Sequence, residues 1–377
     1  MRKIGLFGGT FNPVHNAHIQ IAECAVKALD LDFVIMLTGG NPPHKKAQQI
    51  PDAKLRHIML KKAVKGREKL IPCDFEVNRK DYSYTVKTLE FFKRIYPDDK
   101  LYFIMGGDSL DYFEKWYMPE TIVKLCTLAV YGRGKEHNFD FIKNKYGVDI
   151  VKIDGEFLDI SSTDIRTEQS DMKSHIPDAV YNFIEKYKLY QTNKTDMEIL
   201  EELLDDNRLK HSIGVSKLAR ELGLRYGEDA VLLERAGLLH DAAKCIPYSD
   251  AIIMCDELEA DIDSVERTIP ALVHPKLGAE LVKCMFGITE GKITSAIRCH
   301  TVGKPDMTLF DKIIFVADMC EEGRSFFGVD EIRRTAFENI DKAVLMCIEK
   351  TVEFNLKKGA VVHPMAYRLI DLYSSNL

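Results

Sequence analysis

Along the first half of the chain, short apolar runs alternate with segments whose apolar residues recur every three or four positions. Residues 3–7, 33–37, 101–105, 128–131 and 149–153 read as strands. Residues 19–29, 53–64, 85–95 and 177–187 read as helices. Asp52 and Ser83 are placed to cap the second and third of these, and Pro177 suits a first turn. Strands alternating with helices predict a mostly parallel sheet covered on both faces. Gln191-Thr192-Asn193-Lys194-Thr195-Asp196 then breaks the pattern with polar residues. Beyond it strand signals nearly vanish. Helical spacing runs through residues 197–204, 212–222, 230–239, 275–286, 293–299 and 309–319, so the second half reads all-α.

A chain of 377 residues with a break near its middle divides into two domains, 1–190 and 196–377, joined by a linker at 191–195. Lys plus Arg number 52 and Asp plus Glu 58, a net charge of −6. No basic excess points to nucleic acid as a partner. A signal-peptide core is absent, as is any apolar run of about 18 residues, so no membrane span is expected. The nine cysteines include no C-x-x-C pair, and reduced thiols in a cytoplasmic protein are the expectation.

Gly8-Gly9-Thr10-Phe11-Asn12-Pro13-Val14-His15-Asn16-Ala17-His18 follows the first strand directly. Paired glycines let backbone N–H groups approach a phosphate. His15 and His18, three apart at a helix start, are expected to share one face and meet negative charge developing on phosphate. The segment is neither the dinucleotide fingerprint, which needs a third glycine, nor a P-loop, which needs Gly-Lys-Ser/Thr. Ile160-Ser161-Ser162-Thr163-Asp164-Ile165-Arg166 offers hydroxyls at a helix start and a cation able to grip two oxygens.

Together these segments resemble the G-G-T-F-x-P-x-H-x-G-H and I-S-S-T-x-I-R signatures of the nucleotidylyltransferase superfamily, with Ala17 for the usual Gly and Asn12 where Asp is common. Three further segments resemble its nicotinate-nucleotide adenylyltransferase branch. They are Asn41-Pro42-Pro43-His44-Lys45, Tyr82-Ser83-Tyr84-Thr85, and Gly106-Gly107-Asp108 through Trp116. Thr38-Gly39-Gly40 stands where that branch usually has polar residues. The resemblance implies an α/β Rossmann-like fold over residues 1–190. It also implies adenylyl transfer from ATP, accompanied by Mg²⁺, to nicotinate mononucleotide. Gly8, Gly9, Thr10, Phe11, Ser161, Ser162 and Thr163 would cradle ATP. His15 and His18 would hold its phosphates, and Lys45 and Arg166 would neutralise the leaving pyrophosphate. Thr85, Asp108, Trp116 and Arg133 would hold the pyridine mononucleotide, Trp116 by stacking.

In the second half, His211, His240-Asp241, His274, His300 and Asp318 fall on or beside predicted helices. Asp318 lies inside an apolar helix, where an unpartnered carboxylate is costly. Imidazoles with carboxylates suit Fe, Mn or Zn, and a carboxylate between two ions can bridge them. The ordered set resembles HD-domain phosphohydrolases. More narrowly, with His240-Asp241-x-x-Lys244, Ile297-Arg298-Cys299-His300-Thr301 and Pro305-x-Met307-Thr308, it resembles the branch that cleaves diadenosine tetraphosphate to two ADP. The resemblance implies an all-α HD domain with two transition ions, by that branch iron. His211, His240, Asp241 and Asp318 would hold one ion. Asp241 would bridge to a second, held by His274 and His300. Water activated between them would be the nucleophile, and Lys244 and Arg298 are candidates for the polyphosphate. Glu321-Glu322-Gly323-Arg324 reads as a solvated turn.

The partners implied are small molecules: ATP, nicotinate mononucleotide and diadenosine tetraphosphate. Alternatives remain open at this level. The HD half suits another phosphoester or a nucleotide-sensing role, and the N-terminal half suits nicotinamide mononucleotide or phosphopantetheine.

Overall fold

The computed structural model describes residues 1–40, 50–77, 79, 83–132, 139–155, 158, 160–167, 171–190 and 194–375. It forms two compact units, Met1–Lys186 and Tyr187–Leu377.

The first unit holds strands β1 (Lys3–Gly9), β2 (Phe33–Thr38), β3 (Leu70–Cys73), β4 (Lys100–Gly106), β5 (Thr127–Tyr131) and β6 (Ile150–Ile153). Its helices are α1 (Asn16–Leu29), α2 (Ala53–Val64), α3 (Thr85–Ile95), α4 (Gly107–Asp111), α5 (Pro119–Leu125), α6 (Phe139–Tyr146), α7 (Ser162–Thr167), α8 (Met172–His175) and α9 (Asp178–Lys186). The strands form one parallel sheet in the order β3-β2-β1-β4-β5-β6. Central strands are buried along almost their whole length, as the continuous runs in β2 and β4 require. The order reverses between β1 and β4, which pair directly, Phe7 opposite Ile104. Ligands of open α/β sheets bind beyond the carboxyl ends of strands at such a switch point. Here those ends are Gly9 and Gly106.

Two local expectations differ. β3 went unread because it has four residues, includes Pro72 and buries only Leu70, as an edge strand can. Asp52 caps α2 by accepting from the Lys54 N–H, but the residue before α3 is Tyr84, and Ser83 does not cap it.

The second unit is helical throughout its described residues: α10 (Asp196–Leu203), α11 (Asp206–Tyr226), α12 (Ala230–Leu239), α13 (Tyr248–Glu257), α14 (Ser264–Thr268), α15 (Pro270–Met285), α16 (Gly291–Cys299), α17 (Leu309–Cys320), α18 (Val329–Glu338), α19 (Ile340–Lys357) and α20 (Pro364–Ser374). α11 is a turn and a half longer at its start than the periodicity predicts, because Asp205 caps it by accepting from the Arg208 N–H. α15 starts at Pro270 and carries Pro275 inside it, so His274 lies within a helix. No helix among the described residues is long and apolar enough to cross a membrane. All nine cysteines are free.

Candidate active sites

In the first unit the phosphate-type loop leaves β1 at Gly9. A Cβ on Gly9 would stand 2.8 Å from the Phe11 ring, so glycine is needed for packing there. Among the described residues a Cβ on Gly8 would meet nothing within 4 Å. Phe11 is buried at φ 48°, and its ring lies edge-on to His18 with centroids 5.0 Å apart.

His15 and His18 do not share a helical face. His15 precedes α1 in extended backbone (φ −138°), and His18 is the third residue of the helix. They are still paired: the His15 N–H donates to His18 Nδ1 at 3.2 Å, and the ring centroids are 3.6 Å apart. A neutral His18 therefore carries its proton on Nε2, where it is available as a donor.

The second phosphate motif docks on the first. Ser162 Oγ donates to the Pro13 carbonyl at 3.1 Å, and Arg166 Nη1 donates to the Asn12 carbonyl at 2.6 Å and the Ser162 carbonyl at 2.9 Å. Arg166 Nη2 reaches Thr163 Oγ1 at 3.3 Å, and Ser161 is tied to Asp164 at 2.6 Å. Residues about 150 apart in sequence thus form one wall. Thr85 opens α3, and the exposed Asp108 lies in α4 directly after β4. Trp116 is half-buried, its ring 5.5 Å from Phe113 and 5.8 Å from Phe103. Lys45 and Arg133, with residues 41–44 and Tyr82, lie outside the described residues.

In the second unit the ligand-type side chains converge because α11 and α12 cross closely. A Cβ on Gly237 would stand 2.9 Å from the Ser216 Cα, so only glycine allows this approach. His211 then faces His240 with ring centroids 5.2 Å apart. Asp241 is 2 % exposed, and its two oxygens face different partners. Oδ2 lies 3.4 Å from His240 Nε2 and 4.0 Å from His211 Nε2. Oδ1 lies 3.0 Å from His274 Nε2 and 3.5 Å from His300 Nε2. Asp318 Oδ1 stands 2.9 Å from His211 Nε2 and 3.7 Å from His240 Nε2.

The donor set fits transition ions. His240 Nδ1 and His300 Nδ1 each donate to the backbone carbonyl three residues back, at 2.7 Å, which turns both Nε2 atoms into the cluster. His240 Nε2 and Asp241 Oδ1 are buried and, among the described residues, make no well-aligned hydrogen bond, although ionisable neighbours stand 3.0–3.7 Å away. His211, His240 and Asp318 offer atoms all within 4.8 Å of one another, and so do His240, Asp241 and His300. Burial works against a charge on His240, but Asp241 and Asp318 outweigh it and raise its pKa to about 10. Burial would raise both carboxyls, yet the surrounding imidazoles hold Asp241 and Asp318 well below the usual range. Burial lowers His274 to about 4. A third group, Asp263, Glu266 and His363, is already satisfied: Asp263 caps α14 and meets His363 at 3.1 Å, and Glu266 meets Lys276 at 3.4 Å.

Three residues at this cluster escaped the sequence reading. Arg208, one turn before His211, donates to Asp241 Oδ2 at 2.8 Å. Glu321 is buried, not solvated, and accepts from His211 Nδ1 at 3.1 Å. Arg324 donates to Asp318 Oδ1 at 2.8 Å. Lys244 Nζ lies 3.3 Å from His274 Nε2, and burial lowers its pKa. Arg298 is instead bound to the buried Glu280 carboxylate at 2.6 Å.

Residues 6–168 match a family model described as cytidylyltransferase-like, and residues 208–323 match the HD domain. A Mycoplasma genitalium protein named "Probable nicotinate-nucleotide adenylyltransferase/Ap4A hydrolase" is 30% identical over 356 residues, covering 92% of this chain and 97% of that protein. A Clostridium botulinum "Probable nicotinate-nucleotide adenylyltransferase" is 40% identical over 200 residues, covering 51% of this chain and 99% of that protein. The crystal structure of a predicted HD superfamily hydrolase involved in NAD metabolism from Clostridium acetobutylicum is 35% identical, covering 48% of this chain and 96% of that one, with a TM-score of 0.47. With one relative matched across nearly its full length, the chain belongs to the nicotinate-nucleotide adenylyltransferase family and carries an HD domain in its second half.

Proposed function

We propose that the first unit joins nicotinate mononucleotide to the adenylyl group of ATP, giving nicotinate adenine dinucleotide and pyrophosphate for NAD synthesis. The observation that carries this is the docking of Ser162 and Arg166 on Pro13 and Asn12, which unites two phosphate-type motifs at the switch point of the sheet. The mononucleotide phosphate attacks the α-phosphorus in line, and no protein nucleophile is needed. Positioning and charge stabilisation supply the rate. His18 donates from Nε2 to the phosphates, and His15 holds the His18 ring through its backbone N–H. Arg166 and Lys45 neutralise the leaving pyrophosphate, with Mg²⁺ accompanying ATP. Gly8, Gly9, Thr10, Phe11 and Ser161–Thr163 cradle ATP. Thr85, Asp108, Trp116 and Arg133 hold the pyridine nucleotide.

For the second unit we propose metal-dependent hydrolysis of diadenosine tetraphosphate to two ADP. The two-sided placement of Asp241 carries this reading. His211, His240, Asp241 and Asp318 would hold one ion, and Asp241, His274 and His300 a second. Bound transition ions supply Lewis acidity toward phosphate oxygens and make water more acidic. Lys244, Arg208 and Arg324 ring the cluster and balance polyphosphate charge. The Mycoplasma genitalium relative, whose name includes Ap4A hydrolase, supports this substrate. The purified chain is to be assayed with nicotinate mononucleotide plus ATP. A second assay uses diadenosine tetraphosphate with Fe²⁺ or Mn²⁺. The expected products are nicotinate adenine dinucleotide and ADP. Failure of either assay overturns the corresponding half.

A further inference from the structure

The last carbonyls of a helix have no partner within it, and a nearby cation can supply donors. At the end of α17 that cation comes from α18. Arg333 Nε donates to the Cys320 carbonyl at 2.8 Å, and its Nη2 donates to the Glu321 carbonyl at 2.7 Å and the Arg324 carbonyl at 2.6 Å. Its Nη1 donates to Asp330 Oδ1 at 2.6 Å. One guanidinium thus holds the backbone of residues 320–324 at both ends.

The turn so held carries two side chains that reach the metal-type cluster. Glu321 accepts from His211 Nδ1, and the Gly323 N–H holds the same carboxylate at 2.6 Å. A Cβ on Gly214 would run into Glu321 Oε2, so glycine makes room for that carboxylate against α11. Arg324 donates from Nη2 to Asp318 Oδ1 at 2.8 Å and from Nε to the Asp318 carbonyl at 3.0 Å. Among the described residues neither side chain bonds to Asp241, His274 or His300, which meet one another on the far side of the cluster.

We infer that Arg333 is a positioning residue for the ion held by His211, His240, Asp241 and Asp318, and not for the ion held by Asp241, His274 and His300. The inference rests on the two-ion reading of the second unit. Arg333 acts through Glu321 and Arg324, whose backbone it sets. A planar fork meets three carbonyls in fixed directions, whereas an ammonium at the same place keeps the charge and loses the directions.

The test is a Mn²⁺ titration of the metal-stripped full chain carrying Arg333→Lys, with folding checked by circular dichroism. One of the two ions is expected to bind about tenfold more weakly, and the other to keep its affinity. General loosening of the domain would weaken both. Asp330→Asn is the second variant. The Asp330 side chain is 88 % exposed, so its change releases Nη1 of Arg333 without opening the core. It is expected to weaken the same ion about two- to fivefold, and it decides the matter where Arg333→Lys fails to fold. Equal weakening of both ions, or no weakening of either in a folded variant, overturns the inference. An unaltered protein that takes up fewer than two ions per chain overturns the two-ion reading itself.

Discussion

Glu321 accepts a hydrogen bond from Nδ1 of His211 at 3.1 Å, from a position 4 % exposed. The bond fixes the His211 tautomer and turns its Nε2 toward Asp318, 2.9 Å away. The Gly323 N–H holds the same carboxylate at 2.6 Å. A carboxylate behind an imidazole raises its basicity as a ligand and sets its orientation.

Glu321→Gln keeps the shape and removes the charge. Metal affinity is expected to drop about 10- to 100-fold. Titration of metal-stripped protein with Mn²⁺ or Fe²⁺ reads this directly, and an unchanged affinity would count against a supporting role for Glu321.

Asp241 faces both halves of the cluster, one carboxylate oxygen toward each. Asp241→Asn should therefore lose phosphohydrolase activity and the bound transition metal together. Synthesis of nicotinate adenine dinucleotide should stay within about twofold, since the substitution shares no partners with the first unit's proposed site. Metal analysis alongside both assays checks it. A variant that keeps two ions per chain would show that Asp241 does not bridge.

Much of this was legible in the sequence and some was not, for physical reasons. Long buried strands such as β2 and β4 announce themselves by continuous apolar runs, while β3 is too short and too exposed to do so. The six ligand-type residues were legible because imidazoles and carboxylates on apolar helices need partners. Arg208, Glu321 and Arg324 were not, because a charge in a turn or at a helix start reads the same whether it faces water or a neighbour. Their meeting at the cluster, and the burial of Glu321, are set by the packing of α11 against α17, which no local pattern encodes. A spacing of three likewise says nothing of whether His15 has entered the helix; the extended backbone at His15 decides that.

His18→Ala removes a donor aimed from the third position of α1. Removing one such preorganised donor costs about 10²- to 10³-fold in kcat. The loss should fall on adenylyl transfer and leave diadenosine tetraphosphate hydrolysis untouched. Full retention of dinucleotide synthesis would remove His18 from the proposed mechanism.

Proton release should accompany metal uptake. In the metal-free protein Asp241 and Asp318 overcome burial and raise His240 to about 10, so its ring is protonated at neutral pH. An ion needs the neutral ring. Uptake at pH 7 then expels this proton, and apparent metal affinity rises with pH until about 10. The linked stability runs the other way: this group stabilises the metal-free fold fully below its unfolded value, and that contribution fades as pH rises through the folded value. Calorimetry in buffers of different ionisation enthalpy should show a buffer-dependent heat. A heat that is the same in every buffer would rule out the coupled proton.

The last prediction concerns the scaffold. Gly237 lets α12 lie against α11, and a methyl there would stand 2.9 Å from the Ser216 Cα and 3.0 Å from the Val215 carbonyl oxygen. Both are backbone atoms, so neither can turn aside, and the helices must separate. Overpacking of this kind costs about 1–3 kcal/mol. Separation also moves His211 on α11 away from His240 at the end of α12, so Gly237→Ala should weaken metal binding beyond its effect on folding. Thermal unfolding with and without Mn²⁺ distinguishes the two effects. The variant is expected to melt lower in both conditions and to gain less from the ion than the unaltered protein does. An equal gain would mean that the crossing serves stability alone.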